Sequence, residues 1–200
     1  MDGIIIKENV VNESFVDGLL AQKKFIKSNI LESDAGDTGI KFARFRDKIN
    51  NRDIVSRCRI INHPVLDNVI LTNLFKEINE KYFKLNIDWG TSRPVSVIKK
   101  YCEHDAGHMD WHDDVMDNAN SEFGWRALSM TLMLKENSCK GGNLEFKKSW
   151  EDEEILNIPR LKKYSAVIFK PQLPHRVTMV TKGERIALIS WIYTKENIYA

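Results

Sequence analysis

From about Thr91 onward the chain alternates with a period of two, most clearly in Leu128-Ser129-Met130-Thr131-Leu132-Met133-Leu134 and in Val95-Ser96-Val97-Ile98. Successive side chains project to opposite faces of a strand, whereas a helix repeats near 3.6, so these segments are read as strands. Further strand candidates are Asn143 to Phe146 after the Gly141-Gly142 turn, Ala166 to Lys170, His175 to Val180, and Arg185 to Tyr193. Many short strands separated by turn signals suggest a sandwich or jelly-roll barrel.

The first ninety residues carry a different signal. Asn12 to Asn29, with Phe15, Leu19, Leu20 and Phe25, and Pro64 to Phe83, with Val69, Leu71, Leu74, Phe75 and Ile78, show helical periodicity. His63-Pro64 is a suitable start for the second helix, because proline fits a first helical turn. Helices followed by strands imply an α+β arrangement, with the helices buttressing one face of the β-structure. No repeat, low-complexity tract or linker divides the 200 residues. The expectation is one domain over 1–200, with helical support over 1–90 and a β core over 91–195.

Composition narrows the partners. A net charge of +2, from 30 basic and 28 acidic residues, gives no large field to draw the chain onto nucleic acid or an anionic membrane. Cys58, Cys102 and Cys139 are odd in number, far apart and lack C-x-x-C spacing, which argues against both a disulfide framework and a Cys-based zinc site and for a reducing, cytoplasmic setting. The start of the chain lacks the pattern of a signal peptide, and no run approaches the length of a membrane span.

The chemistry concentrates between Tyr101 and Asp114. His112-Asp113-Asp114 is an H-x-D, and on extended backbone residues two apart share a face, so an imidazole and a carboxylate can turn towards one ion. Non-haem Fe(II) oxygenases use two histidines and one carboxylate on one face of the metal, leaving other positions open. A third ligand must come from elsewhere. In the distal segment His175 opens one strand and Arg185, ten residues later, opens the next. A guanidinium matches a carboxylate with two parallel hydrogen bonds and stays charged when buried, which suits the far carboxylate of 2-oxoglutarate.

At these motifs the sequence resembles the prolyl 4-hydroxylase-like branch of the 2-oxoglutarate dioxygenases, and most closely the PKHD-type hydroxylases of bacteria and phages. The resemblance rests on Tyr101 to Asp114, on Gly141-Gly142-Asn143-Leu144-Glu145-Phe146, and on His175-Arg176-Val177 through Gly183, Arg185 and Trp191. It implies a double-stranded β-helix, or jelly roll, with His112, Asp114 and His175 as iron ligands and Arg185 on 2-oxoglutarate. Tyr101 matches a position whose phenol can contact the cosubstrate, although strand alternation alone also places it in the core. Iron(II) and 2-oxoglutarate are the implied cofactor and cosubstrate, with L-ascorbate as a candidate addition. The implied substrate is a peptide or protein residue, prolyl favoured, or a free amino acid.

Related animal prolyl hydroxylases carry a cosubstrate tyrosine on the strand matching Leu128 to Leu134, where this chain offers only Ser129 and Thr131 as hydroxyls. Arg185 followed by Trp191 rather than a second arginine differs from enzymes that repair alkylated nucleic acids. Asp114 itself argues against halogenation.

Other readings compete. His104, His108 and His112 recur every four residues and would line one helix face as a zinc site, but Asp105-Ala106-Gly107 interrupts with poor helix formers. His63 is read as structural, and His104 and His108 as loop or rim groups. Asp113 to Phe123 is either a substrate-facing lid or an ordinary solvated loop. A non-catalytic jelly-roll module that binds metal is the alternative function. Parity also constrains the hairpin expected between His175 to Val180 and Arg185 to Tyr193. An odd loop at Lys182-Gly183-Glu184, or an even one with a bulge, is needed for His175 and Arg185 to enter one cavity.

Overall fold

The computed structural model describes residues 3–21, 41–47, 52–61, 68–115, 124–156, 158–196 and 198–199. Among the described residues, two antiparallel sheets are built from ten strands: β1 (Ile4–Lys7), β2 (Lys41–Asp47), β3 (Arg52–Ile61), β4 (Pro94–Cys102), β5 (His108–His112), β6 (Trp125–Gly141), β7 (Leu144–Phe146), β8 (Ala166–Phe169), β9 (His175–Val177) and β10 (Val180–Thr194). The larger sheet runs β1-β8-β6-β10-β4-β3, and the smaller runs β3-β5-β9-β7 with β2 also on β3. Strand β3 belongs to both, since Arg59–Ile61 pair with β4 while Ser56 and Arg57 pair with β5. The shared strand curls one sheet over the other, which is the expected jelly roll.

Alternation on β6 sorts side chains between two cores. Leu128, Met130, Leu132 and Leu134 join Ile186, Leu188 and Ile192 of β10 on the outer face of the larger sheet. Helix α2 (Val69–Ile78) covers that face with Leu71, Leu74, Phe75 and Ile78, and α1 (Glu13–Ala21) adds Val16. Each fully buried side chain of this size contributes about 1.5–3 kcal/mol. Met133 faces the other way, into an inner core with Tyr101, Phe146, Val167, Phe169, Val177 and Val180.

Local signals set the helix ends. Asn68 caps α2 by accepting from the N–H groups of Ile70 and Leu71 at 3.0 and 3.2 Å, and Asn12 accepts from Phe15 N–H at 2.9 Å. Helix α2 therefore begins at Val69, and Val69 itself is exposed rather than part of the apolar face. His63, Pro64 and Phe25 lie outside the described residues. The helix runs on into a π-turn at Asn79–Phe83 and stops at Lys84, whose φ of 55° is left-handed. The Asn79 side chain closes that end, donating to Leu85 O and accepting from Leu85 N.

Two expectations need correction. The segment before residue 91 is not only helical: it supplies β1, which extends the larger sheet beside β8, and β3, which joins the sheets. Nor do His175 to Val180 and Arg185 to Tyr193 form a hairpin. β9 pairs with β5 and β7, whereas β10 pairs with β4 and β6, so the chain crosses between sheets at Thr178-Met179. Lys182-Gly183 lies inside β10, where the pairing with β6 shifts register on both sides of Lys182. Gly183 has a φ of 71° and serves this bulge, not a turn.

Candidate metal centre

Three elements converge on one point between the sheets. His112 ends β5 and pairs directly with His175, the first residue of β9, while Asp114 lies two residues beyond β5. Both Met109 and His112 are buried although they are three apart, because the β5–β9 register shifts between them. Asp114 is fixed by its own N–H, which donates to Pro171 O at 2.8 Å. One ligand-type atom from each of His112, Asp114 and His175 lies within 4.8 Å of the others, and all three residues are buried.

The hydrogen bonds select which atoms face the centre. His112 Nδ1 lies 2.8 Å from Asp110 O and His175 Nδ1 lies 2.9 Å from Leu173 O. A backbone carbonyl only accepts, so each Nδ1 carries the proton and each Nε2 presents a lone pair. Burial, with the neighbouring His175, pushes the His112 imidazole down to about 3, against the attraction of Asp114, so it is neutral. Burial alone would raise the Asp114 carboxyl. Neighbouring positive charge, from the Arg126 guanidinium when both imidazoles are neutral, outweighs it and holds the group below the usual carboxylate range. Arg126 Nη1 donates to Asp114 Oδ1 at 3.3 Å and to its carbonyl at 3.0 Å. Asp114 Oδ2 is buried with no hydrogen-bond donor, 3.7 Å from His175 Nε2.

Aromatic rings pack around this point. Phe169 meets the His175 ring edge-on at 4.8 Å, Phe146 stacks on it at 5.8 Å, and the two histidine rings are 4.1 Å apart. Two imidazole lone pairs and a carboxylate oxygen in a buried site are a donor set suited to a divalent transition metal.

Arg185 occupies the same inner layer. It pairs with Tyr101 across β10 and β4, and its guanidinium lies 5.3 Å from the Tyr101 ring. The side chain is 1% exposed, yet Nε, Nη1 and Nη2 have no protein acceptor. Burial therefore lowers its basicity, only partly offset by Tyr101 and Cys139. A buried, unpaired cation is costly and calls for an anion. Arg185 borders a cavity of about 120 Å³ shared with Met133, Gly142, Leu144, Arg160 and Leu161. The Gly141-Gly142 turn allows this closeness, since a Cβ at Gly142 would sit 3.2 Å from Arg185 Cδ. Tyr101 is fully buried and burial raises its phenol, which stays protonated. Ser129 and Thr131 are buried beside this layer, and Ser129 Oγ has no partner.

Arg126 was not singled out by sequence reasoning. Simple alternation puts it on the Leu128 face, but the register shift opposite Ile192/Tyr193 turns it inward, with its guanidinium 4.1 Å from the Trp191 ring. A charged residue flanking an apolar run is the only trace of this in the sequence. The spacing of His104, His108 and His112 does not make one helix face: His104 is on a 3-10 turn, while His108 and His112 are on a strand, with His108 Nδ1 against Ala106 O at 2.8 Å. Of the segment Asp113 to Phe123, residues 116–123 lie outside the described residues. Among the described residues, no helix is long and apolar enough to cross a membrane.

Comparison with known proteins agrees with this arrangement. No curated protein matches the chain in sequence. Several solved structures share its fold, among them three prolyl hydroxylases. A Pseudomonas putida prolyl-4-hydroxylase is 16% identical, with a TM-score of 0.59 over 98% of this chain and 95% of that one. The viral collagen prolyl hydroxylase of Paramecium Bursaria Chlorella virus-1 is 14% identical, with a TM-score of 0.55 over 96% of each. A Trichoplax adhaerens prolyl hydroxylase, solved with a hypoxia inducible factor peptide fragment, is 16% identical, with a TM-score of 0.57 over 96% of this chain and 84% of that one. Residues 97–193, which include His112, Asp114, His175 and Arg185, match the sequence model of the 2OG-Fe(II) oxygenase superfamily.

Proposed function

We propose that the protein is an iron(II)- and 2-oxoglutarate-dependent dioxygenase that hydroxylates a residue of a peptide or protein, prolyl favoured, or a free amino acid. The observation that carries this reading is the pairing of a buried His-Asp-His cluster with a buried guanidinium that has no protein acceptor. When bound, iron(II) with 2-oxoglutarate and dioxygen supplies the oxidation, and the cosubstrate leaves as succinate and carbon dioxide.

In this reading His112 and His175 ligate through Nε2, each held by the carbonyl two residues before it. Asp114 ligates through Oδ2, because Arg126 occupies Oδ1. Arg185 forms paired hydrogen bonds with the distal carboxylate of 2-oxoglutarate, and the Tyr101 phenol donates to the same end. Phe146 and Phe169 pack against the His175 ring. L-ascorbate belongs to this reading as a candidate further cofactor. The preference for a prolyl peptide is supported by the peptide-bound prolyl hydroxylase that shares the fold. A cytoplasmic location is supported by three buried cysteines, none of which is in a disulfide.

The test is succinate release from 2-oxoglutarate under air, with iron(II) and a panel of prolyl peptides and free amino acids. Substrate-stimulated succinate with a matching mass gain of one oxygen supports the reading. Folded protein that binds metal and yields no succinate with or without substrate supports a non-catalytic binding module.

A further inference from the structure

A second set of metal-ligating groups lies outside the barrel interior, where the chain leaves β4. Cys102, His104 and Asp105 each offer one ligand-type atom within 4.8 Å of the others. The 3-10 turn Glu103–Asp105 brings them together and is closed by Ala106 in the left-handed region, at a φ of 47°. Cys102 is fully buried and the Asp105 side chain is 1% exposed, while the His104 side chain is 62% exposed. The site has two sheltered anionic-type donors and an imidazole at its mouth, through which an ion can enter.

The spacing suits a small tetrahedral ion. Zinc legs of about 2.0–2.3 Å place neighbouring donors about 3.3–3.8 Å apart. His104 Nε2 lies 3.3 Å from Asp105 Oδ1, within that range, while Cys102 Sγ lies 4.0 Å from Glu184 Oε1 on the neighbouring strand β10, a pair that closes by a few tenths of an ångström if Glu184 ligates. Glu184 also pairs with Lys100, so its use as a ligand means releasing that lysine to solvent. A thiol, an imidazole and carboxylates together favour a borderline divalent cation over magnesium or calcium. Glu103 already ties this turn to β10, accepting from Gly183 N–H at 3.0 Å.

We propose that Cys102, His104 and Asp105, with Glu184 or water in the fourth position, form a zinc site distinct from the His112–Asp114–His175 cluster. On binding, the Cys102 thiol gives its proton to solvent and the thiolate bonds to the ion. The site ties the β4–β5 turn to β10 one residue before Arg185.

Cobalt(II) titration of the full chain under reducing, anaerobic conditions tests this, because a cysteine ligand gives a thiolate-to-cobalt charge-transfer band that histidine and carboxylate ligands do not. The H112A variant, with the other cluster impaired, should still bind cobalt and show the band, and zinc should displace it. C102S should lose the band, and H104A should weaken cobalt binding at least tenfold. His104 is exposed, so H104A keeps the test valid if C102S does not fold. Absence of the band in H112A, its persistence in C102S, or unchanged affinity in H104A would overturn the proposal. None of these readouts depends on 2-oxoglutarate turnover, so they stand or fall apart from the dioxygenase reading.

Discussion

Replacing Arg126 with methionine tests how the carboxylate ligand is held. Arg126 Nη1 donates to Asp114 Oδ1 at 3.3 Å and to Asp114 O at 3.0 Å, its Nε donates to Tyr193 Oη at 3.1 Å, and its guanidinium lies 4.1 Å from the Trp191 ring. The variant keeps the apolar stem against Trp191 and removes the charge. Asp114 stays ionised at neutral pH, since its carboxyl is held below the usual carboxylate range by more than Arg126, the Trp191 side chain among its favourable neighbours. The loss is therefore one of orientation: both carboxylate oxygens become free to rotate. Removing a hydrogen bond that orients a metal ligand typically costs 10–100-fold in metal affinity, about 1.4–2.8 kcal/mol. Calorimetric titration with manganese(II) at neutral pH should show a dissociation constant raised within that range. An unchanged constant would show that Arg126 does not position Asp114. A loss as complete as in Asp114→Ala would show that it does more than orient.

Other changes separate the parts of the site. Alanine at His112, Asp114 or His175 should each remove most iron binding and succinate release, because three protein ligands are needed to fix the open face; near-normal turnover in any one would remove it from the set. Arg185→Met should weaken 2-oxoglutarate binding by about 2–5 kcal/mol while leaving metal affinity near normal. Without cosubstrate the same variant should melt higher, by about 2–4 °C per kcal/mol, because a buried unpaired charge is gone. Gly141→Ala should destabilise the fold by at least about 1–3 kcal/mol, since a Cβ there would sit 2.0 Å from Met179 O at a φ of 70°; a denaturation midpoint equal to that of the unaltered protein would contradict this.

What could be read from the sequence divides along physical lines. Strands β6, β8 and β10 were legible because the larger sheet has a core on each face, so their side chains record it at every position. Strands β1 and β5 were not: β1 is short and buries only Ile4 of its four residues, and His108–His112 is mostly polar with a register shift that breaks its alternation. His112, Asp114, His175 and Arg185 were recognisable as residue types and spacings; the first three lie within 4.8 Å of one another, and Arg185 is buried beside Tyr101. The route that brings them together was misread. Gly183 carries a positive φ, which a turn and a bulge both use, and only the pairing partners of β9 and β10 distinguish the two. Arg126 escaped notice because its inward direction depends on a register shift between strands that are 67 residues apart at their contact.

The central claim is that one site holds both the metal and 2-oxoglutarate. Anaerobic addition of iron(II) and then 2-oxoglutarate, followed in the visible spectrum, tests it directly. The account predicts a weak metal-to-cosubstrate charge-transfer band that saturates at one equivalent, disappears in His175→Ala, and in Arg185→Met needs a much higher 2-oxoglutarate concentration. A folded protein that binds iron(II) at this cluster and shows no band at saturating 2-oxoglutarate would contradict it.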